Sequence, residues 1–280
     1  MAEDVVPMLA WLDEHKGALV PPVCNKLMHG GQLKVMFVGG PNVRKDYHIE
    51  EGEEAFFMVK GDMCLNVVEK GVPRPVHIRE GEVFVLPSRV PHSPQRKDAT
   101  IGLVIERERL RKEMDCLRYY CDGGSMEVLW ERWFHCVDLG SQLKPVIEAY
   151  FASEEHKTRK PTTGAIDNPP FAVDTETELM APIDVGQALS SAAWVAGESF
   201  PLIQGKETTI SASRGSSFPA CAGESWLLQW AGQAGICTKG GGVEATLAKN
   251  DTLLLPRNAA FDVTANTEDS VTLVFRQVPA

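Results

Sequence analysis

Closely paired cysteines are missing from this 280-residue chain. Its seven cysteines, Cys24, Cys64, Cys116, Cys121, Cys136, Cys221 and Cys237, form no Cys-x-x-Cys, and an odd number cannot all pair. Zinc ribbons and rubredoxin-like centres need paired short spacings and are excluded; Cys116 and Cys121 suit neither a redox pair nor a zinc knuckle. Reduced thiols in a reducing compartment are expected. Positive charge is also scarce: 28 Lys and Arg stand against 38 Asp and Glu, for a net charge of −10 and a pI of about 5.3. No basic patch offers a surface to nucleic acid. No apolar run reaches the ~20 residues of a membrane span, and Glu3 and Asp4 stand where a secretory leader would be basic. A cytosolic protein without a membrane partner is expected. Gly240-Gly-Gly242 is followed by no Lys-Ser/Thr and is read as a turn, not a phosphate cradle.

With 44% hydrophobic and 24% charged residues, the chain can fill one large core or two small ones. Residues 5–16 read as a short helix, with Val5, Leu9, Trp11 and Leu12 on one stripe and Gly17 as a stop. Residues 21–29 read as an irregular loop, either a cover for a pocket or a plain connector. From 32 to 107 short apolar runs alternate with Gly, Pro and charged turns, the punctuation of a sandwich or barrel. Arg107–Tyr120 is charged and periodic, and Met126–Phe151 is rich in aromatics, including Trp130, Trp133 and Phe134. Both are expected to be helices packed on the first barrel, with those aromatics in its core. A linker follows.

An internal repeat then emerges. Glu54-Ala-Phe-Phe-Met-Val-Lys-Gly61 matches Ser225-Trp-Leu-Leu-Gln-Trp-Ala-Gly232, and Gly81-Glu-Val-Phe-Val-Leu-Pro87 matches Asn250-Asp-Thr-Leu-Leu-Leu-Pro256. The chain is read as mainly all-β: a first barrel with flanking helices over 1–160, a linker over 161–177 and a degenerate second barrel over 178–280.

The most informative stretch is Gly40-Pro-Asn-Val-Arg-Lys-Asp-Tyr-His48-Ile-Glu-Glu-Gly-Glu-Glu54. Glu51-Gly52-Glu53 is expected to be a hairpin turn with Gly52 at positive φ, so that His48 ends one strand and Glu54 begins the next. His92 follows another apolar run, in Leu86-Pro-Ser-Arg-Val-Pro-His92. Two histidines and a carboxylate from strand ends match the facial triad that holds non-haem Fe(II). An isolated histidine is more often a hydrogen-bonded or surface residue, so spacing carries this reading. In the second copy the three positions map to Pro219, Ser225 and Phe261, which cannot rebuild the triad. His29 and His77 are read as ordinary surface or loop residues, and Glu50 as outside the ligand set or solvated. Arg44 and Arg96 lie close in sequence to His48 and His92, and Glu106 ends an apolar run. By spacing alone, Arg96 and Glu106 could equally form a weak surface pair.

The pattern His48-x-Glu50-x3-Glu54-x6-Gly61 followed by Gly81-x5-Pro87-x4-His92 resembles the two cupin motifs, with Glu50 where the usual motif has a second histidine. The wider stretches Asn25–His29, Gln32–Phe37, Arg44–Glu54 and Arg89–Arg96 are similar to the 3-hydroxyanthranilate 3,4-dioxygenase family, and Leu117–Tyr120, Trp133-Phe134 and Asp138-Leu-Gly140 extend the likeness. It is strong to about residue 150 and weak beyond. Bacterial members end in a cysteine-bound second iron site, which this chain lacks; it resembles the animal form, with two cupin barrels. The resemblance implies Fe(2+) on His48, Glu54 and His92. It implies that Glu54, Arg96 and Glu106 meet the aromatic substrate and that Arg44 serves the O2 side, with Arg44 and Glu106 catalytic. It also implies cleavage of 3-hydroxyanthranilate to 2-amino-3-carboxymuconate semialdehyde, which closes to quinolinate on the route to NAD. A monomer is expected, with the second barrel covering the face that single-cupin relatives bury by dimerising. Another metallo-cupin, or a cupin used only for binding, would share the fold.

Overall fold

The computed structural model describes residues 4–19, 21, 24–42, 44–161, 169–191, 194 and 197–279. Its strands form four antiparallel sheets, two per barrel. In the N-terminal barrel the inner sheet is built on Leu33–Gly39, Glu54–Lys60, Glu82–Leu86 and Ile101–Arg107. Its outer sheet contains Tyr47–Ile49, Met63–Glu69, Val72–Ile78 and His92–Arg96. The C-terminal barrel repeats the plan: Thr208–Ser213, Ser225–Ala231, Asp251–Leu255 and Val271–Gln277 form most of its inner sheet, and a four-stranded outer sheet faces it.

The strand sequences explain this layering. Inner-sheet strands are apolar almost throughout, because both faces are covered. Their side chains alternate between two cores. Phe56, Met58, Phe84, Leu86 and Val104 point into the first barrel, whereas Phe57, Val83, Val85, Leu103 and Ile105 point away from it. The second set meets Trp226, Leu228, Leu254, Leu273 and Phe275 of the C-terminal barrel in one joint core. Leu227, Leu253, Leu255 and Val274 turn the other way, into the second barrel's own interior. Outer strands such as Val72–Ile78 alternate exposed and buried positions instead.

The repeat is visible in three dimensions. Glu54–Lys60 and Ser225–Ala231 occupy the same place in their sheets, and so do Glu82–Leu86 and Asp251–Leu255. The turns that end or precede them share positive φ at Gly61 (67°) and Gly232 (60°), and at Gly81 (80°) and Asn250 (69°). Two short strands cross the division expected between the halves. Val6–Pro7 pairs with Asp251–Leu255 of the C-terminal barrel, and Ile183–Asp184 pairs with Glu82–Leu86 of the N-terminal one.

Several local expectations are corrected. The helix expected over 5–16 runs from Met8 to His15, after the strand Val6–Pro7. The expected loop contains the edge strand Asn25–Gly30, in which His29 is buried; Pro22 and Val23 lie outside the described residues. Between 107 and 134 the chain forms two strands, Asp115–Tyr120 and Val128–Phe134, not helices. They extend the outer sheet beyond Tyr47–Ile49. Aromatic residues on a pleated, half-buried surface explain the outcome. Helix begins only at Leu139, capped by the Asp138 side chain, and runs to Ala152. The linker expected over 161–177 starts after the short helix Glu154–Thr158, and residues 162–168 of it lie outside the described residues.

Candidate metal centre and substrate mouth

Glu51-Gly52-Glu53 is not a hairpin. The strand before it lies in the outer sheet and the strand after it in the inner sheet, and Gly52 is not among the positive-φ glycines. The segment therefore bridges the barrel's two walls. This brings ligand candidates from opposite walls to one end of the interior. His48 and His92 are direct cross-strand partners in the outer sheet, with ring centroids 5.3 Å apart. Glu54 and Glu106 are direct partners in the inner sheet. One donor atom each from His48, Glu54 and His92 lie within 4.8 Å of one another, and all three residues are buried.

These residues fit a divalent ion. His92 Nδ1 faces the Val90 carbonyl at 3.2 Å, which leaves Nε2 2.9 Å from Glu54 Oε2. That oxygen nevertheless has no hydrogen bond of acceptable geometry. Two neighbouring ligands at right angles, each about 2.1 Å from a first-row ion, would lie about 3 Å apart. His48 Nε2 is 2.7 Å from Asp115 Oδ2, an orienting carboxylate that leaves Nδ1 as the ring's lone-pair donor. Charge points the same way. Glu50, Glu54, Glu106 and Asp115 are buried with Arg96 and the Arg109 side chain, four potential anions against two cations.

The carboxylates respond individually. Burial raises Glu54, but its interactions with His92, His48 and Arg109 outweigh this and hold the group below its usual range. Burial likewise raises Asp115, and Arg109 and His48 bring it below normal. Burial dominates at Glu106 and Glu50; Arg109 opposes it, neighbouring carboxylates add to it, and both groups end up raised, Glu50 strongly. Glu50 is thus neither solvated nor loose: its Oε2 lies 2.6 Å from Arg109 Nη2. Arg109 also pairs with Glu106 and donates to Asp115 at 3.0 and 3.2 Å.

The two arginines differ. Arg44 is buried and engaged by Asp46, with Nε 3.1 Å from both carboxylate oxygens. Arg96 is buried, and its Nε has no hydrogen-bond partner. Burial and the like charge of Arg44 pull it down to about 10, so it remains cationic at neutral pH. Glu106 Oε2 is also without a partner. A cavity of about 260 Å³ opens beside Glu106, lined by Asn25, Leu27, Met36 and the segment 137–140. Leu27 and Val137 make its rim apolar.

The second barrel has the same mouth with different chemistry. Its register sets Phe218, not Pro219, opposite Phe261, as His48 stands opposite His92. One residue of slippage between the copies accounts for the difference. Ser225 takes the position of Glu54, and Arg276 that of Glu106. The Arg276 guanidinium lies 5.2 Å from both phenyl rings and donates to Ser225 Oγ at 2.9 Å. A fixed cation fills this mouth.

Sequence reasoning missed Arg109 and Asp115. Both lie in the charged run after Glu106, which reads as helix, and no spacing links them to His48, more than sixty positions away.

Comparison with known proteins gives the chain's family. A family model described as 3-hydroxyanthranilic acid dioxygenase matches residues 1–151. A 3-hydroxyanthranilate 3,4-dioxygenase of Nematostella vectensis is 50% identical over 91% of this chain and 93% of its own length. The protein of the same name from Rattus norvegicus is 46% identical over 99% and 98%, and that from Homo sapiens 46% identical over 97% and 95%. Among solved structures, a cupin 2 conserved barrel domain protein from Leptotrichia buccalis aligns over 99% of this chain and 98% of its own, with a TM-score of 0.52 at 9% identity. A Bacillus subtilis oxalate decarboxylase variant aligns over 99% of this chain and 78% of its own, with a TM-score of 0.52 at 15% identity. These two likenesses bear on the fold, two cupin barrels in one chain. The sequence relatives span nearly the whole chain, and it belongs to the 3-hydroxyanthranilate 3,4-dioxygenase family.

Proposed function

We propose that this chain is an Fe(II)-dependent dioxygenase that opens the ring of 3-hydroxyanthranilate, with both atoms of O2 entering 2-amino-3-carboxymuconate semialdehyde, which then closes to quinolinate. Family membership supports the substrate. The observation that carries the mechanism is a pair of orphaned polar atoms beside the triad: Arg96 Nε and Glu106 Oε2. A buried guanidinium with one N–H unmatched has room for an acceptor, and the substrate has a carboxylate. A carboxylate oxygen without a donor suits the neighbouring amino or hydroxyl group.

His48, Glu54 and His92 would hold Fe(II), two imidazoles and a carboxylate being a donor set that suits this ion. Bound iron supplies the one-electron chemistry that lets a phenolate and O2 combine. The protein's own residues do the rest. Arg96 fixes the carboxylate end and so the ring's orientation, replacing a random encounter with a set geometry. Glu106, raised by burial, accepts the proton that the substrate gives up as its hydroxyl ionises. Arg109 keeps Glu106 in place. Arg44, braced by Asp46, contributes fixed positive charge on the O2 side.

The chain is proposed to act as a monomer in the cytosol, on the route to pyridine nucleotides. All seven cysteines are free, which fits a reducing compartment, and no helix among the described residues is long and apolar enough to cross a membrane.

The test is anaerobic reconstitution with Fe(II), addition of 3-hydroxyanthranilate and admission of air. A transient semialdehyde absorbance that decays to quinolinate, and that needs Fe(II), is expected. Iron binding with no such species would leave a metallo-cupin for another acidic aromatic substrate.

A further inference from the structure

The face of the inner sheet turned away from the triad bears a second polar cluster, and it belongs to both barrels. Side chains alternate along a strand, so the neighbours of Glu54 and Glu106 point to the opposite face. Those neighbours are Glu53 and Arg107. Both are buried, and both end on one turn of the C-terminal barrel. The Glu53 carboxylate accepts three consecutive backbone N–H bonds, from Lys206 (2.9 Å), Glu207 (3.1 Å) and Thr208 (2.8 Å). A row of backbone N–H groups of this kind forms an anion cradle. The fit leaves no room: an added Cβ at Gly205 would overlap both Glu53 oxygens, one of them at 2.9 Å. The Glu53 N–H donates to Glu207 Oε2 at 3.3 Å, and Gln277 Nε2 donates to the Glu53 carbonyl. Arg107 donates to the same Glu207, from Nε and Nη2 at 3.0 Å each. The two adjacent carboxylates of the site are therefore each one residue from a group fixed by the turn 205–208.

The second barrel makes the reciprocal contact. Glu224, one residue before Ser225, accepts from Leu33 N at 2.8 Å, beside Gly31, where a Cβ would come within 2.6 Å of its Oε1. Gln277, one residue after Arg276, accepts from Gln32 Nε2 through its carbonyl at 2.9 Å. The second copy has lost the metal residues and kept the clamp.

We propose that the C-terminal barrel is a positioning device: its 205–208 turn holds Glu53 and Arg107 and thereby fixes Glu54 and Glu106 for metal and substrate. The inference rests on the reading of His48, Glu54 and His92 as metal ligands. Glu53 is a positioning residue, since it reaches the site only through its neighbour.

Glu53→Gln sets an amide against the backbone N–H cradle, and Gly205→Ala displaces the cradle while leaving Glu53 intact, so either variant reads the contact if the other does not fold. Glu224→Gln removes the charge from the mirror contact and serves as comparator. Hydrogen exchange of the metal-free protein and Co(II) titration are measured beside thermal midpoints. Faster exchange across 54–57 and 105–107, with Co(II) affinity at least tenfold weaker, is expected for Glu53→Gln and Gly205→Ala. Support from outside the first shell of ligands is commonly worth about 10–100-fold in metal affinity. Glu224→Gln is expected to lower the midpoint while Co(II) affinity stays within about twofold, because Leu33, which Glu224 holds, pairs with Arg107 and lies one strand further from Glu54. Unchanged exchange in the Glu53 and Gly205 variants, or an equal loss of Co(II) affinity in all three, would overturn the proposal. A wild-type chain that binds Co(II) but does not cleave 3-hydroxyanthranilate overturns the proposed substrate, while the exchange and Co(II) data still decide the clamp.

Discussion

Arg96 and Asp115 show how single side chains divide the work of this site. Arg96 is buried beside another arginine with one N–H unmatched, an arrangement that disfavours the empty site and favours an anion. Removing one partner of a buried charge pair costs about 2–5 kcal/mol. Arg96→Met should therefore lower kcat/KM for 3-hydroxyanthranilate by roughly 30-fold or more while Fe(II) is retained. Unchanged kcat/KM would place Arg96 outside the site. Asp115 is fully buried, and its carboxylate lies 2.7 Å from His48 Nε2. Asp115→Asn keeps the shape and changes the tautomer that the ring is held in. It should weaken metal binding about 10–100-fold at unchanged fold, measured by metal titration and near-ultraviolet circular dichroism. Equal affinity would remove the orienting role. The two residues also mark the limit of legibility. His48, Glu54, His92, Arg44, Arg96 and Glu106 could be picked out because motif spacing and a family likeness single them out. Asp115 and Arg109 act only through contacts that appear after the barrel closes, and a charged run says nothing about which of its members will be buried.

At the scale of elements, the inner-sheet strands were legible because an apolar run covered on both faces has few other solutions. The segment 107–134 was not, since a helix stripe and a half-buried strand can share aromatic composition, and pairing to Tyr47–Ile49 decided the matter. The loop within it carries a pH-sensitive joint. Arg107 meets Glu113 through two parallel bonds, Nη1–Oε2 at 2.7 Å and Nη2–Oε1 at 2.8 Å, and also meets Glu207 of the second barrel. Burial raises Glu113, but the bonds from Arg107 and from Leu110 N outweigh it and hold the carboxyl below its usual range. A depressed carboxyl contributes stability that is present above its unfolded value, about 4.3, and is lost as pH falls through the lower folded value. The thermal midpoint should fall steeply below about pH 4, and the Glu113→Gln variant should lack part of that slope. Identical pH profiles for the two proteins would show that Glu113 is not one of the groups responsible. Arg107→Ala should cost more at neutral pH, about 3–5 kcal/mol, because it takes the guanidinium away from buried Glu113 and from half-buried Glu207.

For the whole molecule, the question is why a barrel that has lost its metal residues is retained. The joint core supplies one answer: Val35, Phe37, Phe57, Val83, Val85, Leu103 and Ile105 on one side are covered by Trp226, Leu228, Leu254, Leu273 and Phe275 on the other. Burying a large apolar side chain contributes about 1.5–3 kcal/mol, so the seven first-barrel residues together represent on the order of 10 kcal/mol. That is comparable to the entire net stability of an ordinary domain. An N-terminal fragment ending at residue 160 would expose this face and would also lack Ile183–Asp184, which covers one edge of the sheet. In the intact chain its own C-terminal half covers the face. Sedimentation velocity at micromolar concentration should give a monomer for the full chain. The fragment should self-associate or bind a hydrophobic dye, and lose cooperative unfolding. A stable dimer of the full chain would mean that a further surface is used for assembly. A monomeric fragment with a cooperative transition would mean that the first barrel stands on its own interior core, leaving the positioning of Glu53 and Arg107 as the main reason for the second.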